Sequence, residues 1–228
     1  HPRLKTTGSC RICVVDTGNP DKLETSCNTK IREGMHIQTS NHRVIESRRT
    51  VTELLLSQHN TNCMICDKNG SCELQDLAYE MGIDPDAIPY RTDLKKKPMD
   101  DSNPAIIFDP NRCIVCSRCV SACNDLMHFN ILKLENNGGE TKITTHNGAR
   151  LLEAGCTSCG ECVQVCPTGA LFDRMARFKG RWWELEKVET ICPYCGVGCS
   201  IELFIKNGKI VKVNGKEDGI ENEGSLCV

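Results

Sequence analysis

Residues 113–123 read CIVCSRCVSAC and residues 156–166 read CTSCGECVQVC, two copies of C-x2-C-x2-C-x3-C offset by 43 residues. Duplication is the simplest account of such self-similarity. The chain carries 18 cysteines in 228 residues, a density that means disulfides, zinc or iron–sulfur ligation, and spacing has to decide among them. Zinc sites prefer two separated C-x2-C pairs around a tetrahedron. Three thiolates at C-x2-C-x2-C instead reach three corners of a cubane from one short loop. The repeat is therefore read as a pair of 4Fe-4S sites.

The other cysteines fall into three further groups: Cys10, Cys13 and Cys27; Cys63, Cys66 and Cys72; and Cys192, Cys195, Cys199 and Cys227. None is left over. Only 39% of the residues are hydrophobic and 4% aromatic, too little for one generous core, so metal ligation is expected to supply folding free energy that burial does not.

The net charge is −2, with both signs interspersed, so no basic field points to nucleic acid or an anionic membrane surface. No run approaches the roughly 18 consecutive apolar residues of a membrane span. Protein partners are expected instead. Thiols reserved for metal imply a reducing, cytoplasmic compartment. The chain opens on His1-Pro2-Arg3 and stops at Cys227-Val228, so both ends read as cut, and absence of a targeting signal carries little weight.

Four units are expected: 1–40, 41–97, 98–180 and 181–228. The charged, proline-flanked stretch Leu94 to Pro104 reads as a linker. Residues Arg43 to Gln58 place Val44, Val51, Leu54 and Leu55 near one helical face and end just before His59. Ile131–Leu134 and Thr141–Thr144 flank Asn136-Asn137-Gly138-Gly139, a hairpin inserted between the repeat copies. Ile201–Ile205 and Ile210–Val213 flank Asn207-Gly208, a second hairpin. The expected fold class is α+β, as tandem small domains.

The repeat resembles the two-cluster bacterial ferredoxins, in which the fourth cysteine goes to the other cluster. That resemblance implies crossed wiring: Cys113, Cys116, Cys119 and Cys166 on one cluster, Cys156, Cys159, Cys162 and Cys123 on the other. Pro167 after Cys166 completes the ferredoxin pattern, whereas Asn124 after Cys123 departs from it. The last group, CPYCGVGC at 192–199 followed by GSLCV at 224–228, resembles the N-terminal cluster motif of molybdenum or tungsten bis-pterin oxidoreductases, most of all the formate dehydrogenases and their assimilatory nitrate reductase relatives. A zinc ribbon is the alternative from spacing alone. Gly196 and Gly198 suit a backbone bent closely around a cluster.

His59, Cys63, Cys66 and Cys72 form H-x3-C-x2-C-x5-C. This resembles the site with one histidine and three cysteine ligands in the large iron–sulfur subunit of complex I and in related hydrogenases and formate dehydrogenases. The plain alternative is a histidine that merely favours a helix C-terminus. His36, His42, His128 and His146 have no such company. Cys10, Cys13 and Cys27 resemble the 2Fe-2S domain that opens the same proteins, with Gly8 and Ser9 placed to donate backbone hydrogen bonds. Members carry a fourth cysteine ahead of a Pro-Arg-Leu like Pro2-Arg3-Leu4, a position that falls before His1. A three-ligand zinc site or unused thiols is the alternative there.

The order of the groups resembles the N-terminal part of the catalytic subunit of NAD-dependent or electron-bifurcating formate dehydrogenases. The resemblance implies a partial 2Fe-2S ferredoxin-like domain, a histidine-ligated 4Fe-4S domain, a double 4Fe-4S ferredoxin and the 4Fe-4S β unit of the bis-pterin oxidoreductase fold. One 2Fe-2S and four 4Fe-4S clusters would then link a molybdenum or tungsten centre, bound by two pyranopterin guanine dinucleotides outside this segment, to flavin- and NAD-binding or ferredoxin partners. No catalytic residue is expected within the segment. The complex I large subunit shares groups one, two and five. Iron-only hydrogenases share the first four, but are expected to carry a TSCCP-like stretch where residues 190–199 read TICPYCGVGC. A zinc-rich interaction protein is the non-redox alternative.

Overall fold

The computed structural model describes residues 1–91, 96–136 and 138–227. The first unit is small. Strand β1 (Val14–Val15) pairs antiparallel with β2 (Glu24–Thr25), and Asp16 extends the ladder by bridging to Gln38. Helix α1 (His42–Ser57) follows, opened by Asn41, whose side-chain oxygen accepts the Val44 N–H at 3.0 Å. That contact satisfies one of the orphan donors of the first turn.

The buried face of α1 is Val44, Thr52, Leu56 and Ser57, whereas Leu54 is 52% exposed. This differs from the face read off the apolar pattern. The reason is local: Thr52 Oγ1 donates to Arg48 O at 2.8 Å, so its hydroxyl is satisfied and its methyl can turn inward. Helix α2 (Glu73–Glu80) packs beside α1, with Leu56, Leu74, Ala78, Ile83 and Ile88 between them.

Strand β3 (Ile106–Phe108) leads into the first cysteine loop and β6 (Leu171–Asp173) leaves the second. They pair antiparallel, Phe108 opposite Leu171 and Ile106 opposite Asp173. Because β3 runs into Cys113 and β6 starts just after Cys166, this pairing draws the start of one repeat to the end of the other. Short helices α3 (Arg118–Ser121) and α4 (Glu161–Gln164) occupy matching places in the two copies.

The inserted hairpin is present as β4 (Leu132–Glu135) and β5 (Lys142–Thr145). Asn137 in its turn lies outside the described residues. Asn124, where the second ferredoxin proline is missing, sits in a π-helical turn (Ala122–Leu126) and donates its side-chain amide to Leu132 O at 2.8 Å. Its departure from the pattern thus docks the insertion.

Of the expected linker, Leu94 and Lys95 lie outside the described residues. The rest is tied down: Lys97 exchanges two 2.8 Å hydrogen bonds with the Asn111 side chain, Asp100 pairs with Phe108, and Asn103 is fully buried. The C-terminal hairpin is β8 (Ser200–Lys206) and β9 (Lys209–Gly215), turned by Asn207 and Gly208 at φ 52° and 72°. A third strand, β7 (Glu186–Ile191), pairs along β8. No helix among the described residues is long and apolar enough to cross a membrane.

Candidate metal centres

Cys113, Cys116, Cys119 and Cys166 line one small cavity, closed by apolar neighbours that include Ile143, Ala170 and Leu171. Burial pushes the Cys113 thiol up to about 12 and Cys116 up to about 11, and holds Cys119 well above the usual thiol range. Their mutual repulsion as thiolates adds to this. Against it, the Val115 N–H points at Cys113 Sγ at 3.4 Å and the Arg118 N–H at Cys116.

The second copy repeats the arrangement at the same offset. The Ser158 N–H serves Cys156 and the Glu161 N–H serves Cys159. Positive φ values at Val115 and Ser117 recur at Ser158 and Gly160. Burial raises Cys156, Cys159 and Cys162, and Cys123 acts electrostatically on all three. The fold thus groups each cysteine triplet with the last cysteine of the other copy.

His59 follows α1 and is buried, its N–H bonded to Leu56 O at 3.1 Å. Burial first, then the Arg112 guanidinium, lowers its ring to about 4, so it is neutral at pH 7, the form that ligates metals. Among the described residues its Nδ1 is buried without a hydrogen-bond partner. Burial raises Cys63, and raises Cys72 to about 11 against the Gln75 and Leu74 N–H groups; both also feel Cys66. The charged groups that act on the ring are Arg112, Asp109 and Arg91, while the three thiols act on one another.

In the first group Cys13 and Cys27 are hydrogen-bonded. Burial opposes ionisation of Cys13, but the Cys27 backbone and side chain and Ser26 outweigh it and lower its thiol. The Gly8 N–H, at a positive φ of 66°, is directed at Cys27. In the last group Cys199 is raised by burial and by Cys195, Cys192 and Cys227. The Cys192 N–H closes the loop on Cys199 O at 2.8 Å. Gly198 takes a positive φ of 73°; Gly196 does not.

The donor sets of the two repeat sites fit iron–sulfur clusters. Every cysteine is a free thiol. Buried thiols that resist ionisation together, yet have N–H groups aimed at them, suit a cationic core that takes them as thiolates. Among the described residues no three His, Cys, Asp or Glu side chains gather into a site for a single metal ion.

Two ion pairs around the thiols were not foreseen from the sequence. Arg118, between Cys116 and Cys119, forms a bidentate pair with Glu73 at 2.5 and 2.7 Å, joining the ferredoxin unit to α2. Arg3 pairs with Glu161, beside Cys162, at 2.6 Å. The only signal either left is a charged residue next to a cysteine, which does not name the partner.

Comparison with known proteins divides the chain in the same order. Residues 1–42 match the 2Fe-2S iron-sulfur cluster binding domain, 48–86 the NADH-ubiquinone oxidoreductase-G iron-sulfur binding region, 112–170 the 4Fe-4S dicluster domain and 185–228 the molybdopterin oxidoreductase Fe4S4 domain. The chain is 34% identical over 226 residues to NADPH-Fe(3+) oxidoreductase subunit alpha of Geobacter sulfurreducens, covering 99% of this chain and 26% of that protein. It is 28% identical over 260 residues to a putative formate dehydrogenase of Staphylococcus aureus, covering 96% and 26%. The chain therefore spans about a quarter of the length of these relatives. Among solved structures it is similar to an NAD+-reducing [NiFe]-hydrogenase in the H2-reduced state, with TM-score 0.71 and 31% identity over 79% of this chain and 75% of that one.

Proposed function

The chain belongs to the iron–sulfur family that NADH-quinone oxidoreductase G subunits share with the molybdopterin oxidoreductases, and from that premise we propose that it is the electron-carrying region of a formate dehydrogenase catalytic subunit. In this reading it connects a molybdenum or tungsten bis-pterin centre, outside these residues, to a flavin- and NAD-binding or ferredoxin partner. It holds four 4Fe-4S clusters on the residues named above, with the repeat ligands crossed, and supplies Cys10, Cys13 and Cys27 to one 2Fe-2S cluster whose fourth ligand is expected ahead of His1.

The observation that carries the reading is that the thiol groups adjoin one another in a row. Cys10, Cys13 and Cys27 share a cavity wall with Cys116. Cys119 of the first repeat site feels Cys162 of the second. Cys159 shares a groove with Cys227. The His59 site stands beside this row, joined to Cys166 through the Pro167 carbonyl, which accepts the Glu73 N–H at 3.0 Å.

Bound iron–sulfur clusters would supply one-electron carriers whose potentials follow ligand type, hydrogen bonding and burial. The chain's own residues set those conditions. Ile143, Ala170 and Leu171 keep water from the first repeat cavity, and backbone N–H groups aim at the sulfurs in both loops. No acid, base or nucleophile is required of them.

CPYCGVGC and the similarity to a putative formate dehydrogenase favour formate as the substrate of the whole subunit. The higher identity to an NADPH-Fe(3+) oxidoreductase subunit favours a second reading, in which the same row serves a different distal catalyst. Adding formate to the anaerobic complex of the full-length subunit with its flavin- and NAD-binding partner separates them. Reduction of the clusters by formate, followed by paramagnetic resonance, is expected. Reduction by NADH or NADPH but not by formate would overturn the formate reading in favour of the second.

A further inference from the structure

Gly169 lies just beyond Cys166 in sequence and against Cys66 in space. A Cβ built on it would stand 2.5 Å from Cys66 Sγ, with Arg112 Cδ at 3.4 Å and Lys68 Cβ at 3.5 Å behind. Its backbone is outside the left-handed region, so other residues could adopt its conformation. What an added Cβ would meet is the Cys66 sulfur.

The same short segment is bound to both sites. Glu73, next to Cys72, donates its N–H to Pro167 O, next to Cys166, at 3.0 Å. Cys166 Sγ lies 3.1 Å from Thr168 O, and Thr168 Oγ1 donates to Arg112 O at 2.7 Å. The backbone that carries Cys166 thus meets the His59 group at two points, a close approach at Gly169 and a hydrogen bond at Pro167.

We propose that Gly169 is the spacing residue between the site of His59, Cys63, Cys66 and Cys72 and the site of Cys113, Cys116, Cys119 and Cys166. Its bare Cα lets Cys66 rest against the backbone that carries Cys166, and electrons pass between the sites there. The transfer moves one electron, lost by one site and gained by the other, with no proton or bond exchanged. This rests on the iron–sulfur reading of both sites. A free Cys66 could yield to an added methyl by rotating Sγ away, whereas a Cys66 fixed to a cluster cannot. The cost of a methyl therefore falls on the loaded site rather than on the fold.

The test compares the full-length subunit with its Gly169→Ala variant, both purified anaerobically and reduced stepwise under paramagnetic resonance. In the parent, the two reduced clusters are expected to broaden each other's signals by spin–spin coupling. In Gly169→Ala that coupling weakens, or iron is lost from the His59 site alone, while the remaining signals persist. Gly139→Ala, whose Cβ meets nothing within 4 Å, leaves the spectra unchanged. Unaltered coupling and iron in Gly169→Ala overturns the proposal, as does a parent protein whose two reduced clusters show no coupling, a result that stands even if the variant misfolds. A parent with no cluster at the His59 site would instead overturn the reading on which the proposal rests.

Discussion

Arg3 and Glu161 form an ion pair at 2.6 Å with both side chains out of solvent, 8% and 1% exposed. Arg3 also donates to Ser225 Oγ at 2.8 Å. One guanidinium thereby pins together the unit of Cys10, the second repeat loop and the segment leading to Cys227. Burial keeps the Glu161 carboxyl above the usual range even with Arg3 beside it.

Removing one partner of such a pair strands a buried charge. Arg3→Met is expected to cost about 3–5 kcal/mol. The double variant Arg3→Met, Glu161→Leu is expected to regain most of that. Anaerobic urea unfolding of the single and double variants checks this; a single variant as stable as the parent would contradict it.

Cys166→Ser is expected to damage the cluster shared with Cys113, Cys116 and Cys119 and to spare the one with Cys156, Cys159, Cys162 and Cys123. The ground is the β3–β6 pairing, which sets Phe108 opposite Leu171 and so brings the two ends of the repeat together. Magnetic spectra of the two clusters read the outcome. Damage confined to the Cys156 group would mean local ligation.

His59→Cys is expected to keep a 4Fe-4S cluster at a lower potential, because an anionic thiolate replaces a neutral ring. His59→Ala is expected to leave a labile three-cysteine site. The buried Nδ1, unpartnered among the described residues, motivates both. A histidine that only caps α1 predicts a loss of about 0.3–1 kcal/mol and an unaltered spectrum. Redox titration decides, and an unchanged midpoint in His59→Cys would remove the ring from the ligand set.

Lys212, on β9, is lowered to about 8 by burial and by Lys68, against Asp173 and Glu202, with the Phe204 ring 5.7 Å from its Nζ. The folded chain releases this proton more readily than the unfolded one. Stability is therefore reduced while Lys212 is charged, and rises with pH between about 8 and about 10.5 as the folded form sheds its proton first. Lys212→Met is expected to raise the melting temperature at pH 7 and to flatten that rise. A lower melting temperature at pH 7 would contradict it.

The repeat was legible because its chemistry is written at fixed spacing: an offset of 43 residues fixes cysteines, turn geometry and helices alike. The two hairpins were legible from their alternation and turn residues. Strand β7 was not, since most of Glu186–Ile191 faces solvent and carries no apolar pattern. The buried face of α1 was misread because Thr52 satisfies its hydroxyl within the helix. The pairing of Arg3 with Glu161 and the approach of Gly169 to Cys66 join residues about a hundred or more positions apart. Only the assembled units bring them together.

The central claim is that these thiols hold iron–sulfur clusters, and metal analysis of the anaerobically purified protein tests it most directly. The four 4Fe-4S sites predict about 16 irons and as many inorganic sulfides per chain, with two more where the 2Fe-2S ligand set is complete. Zinc in stoichiometric amount with little iron, and no visible absorption, would contradict the account.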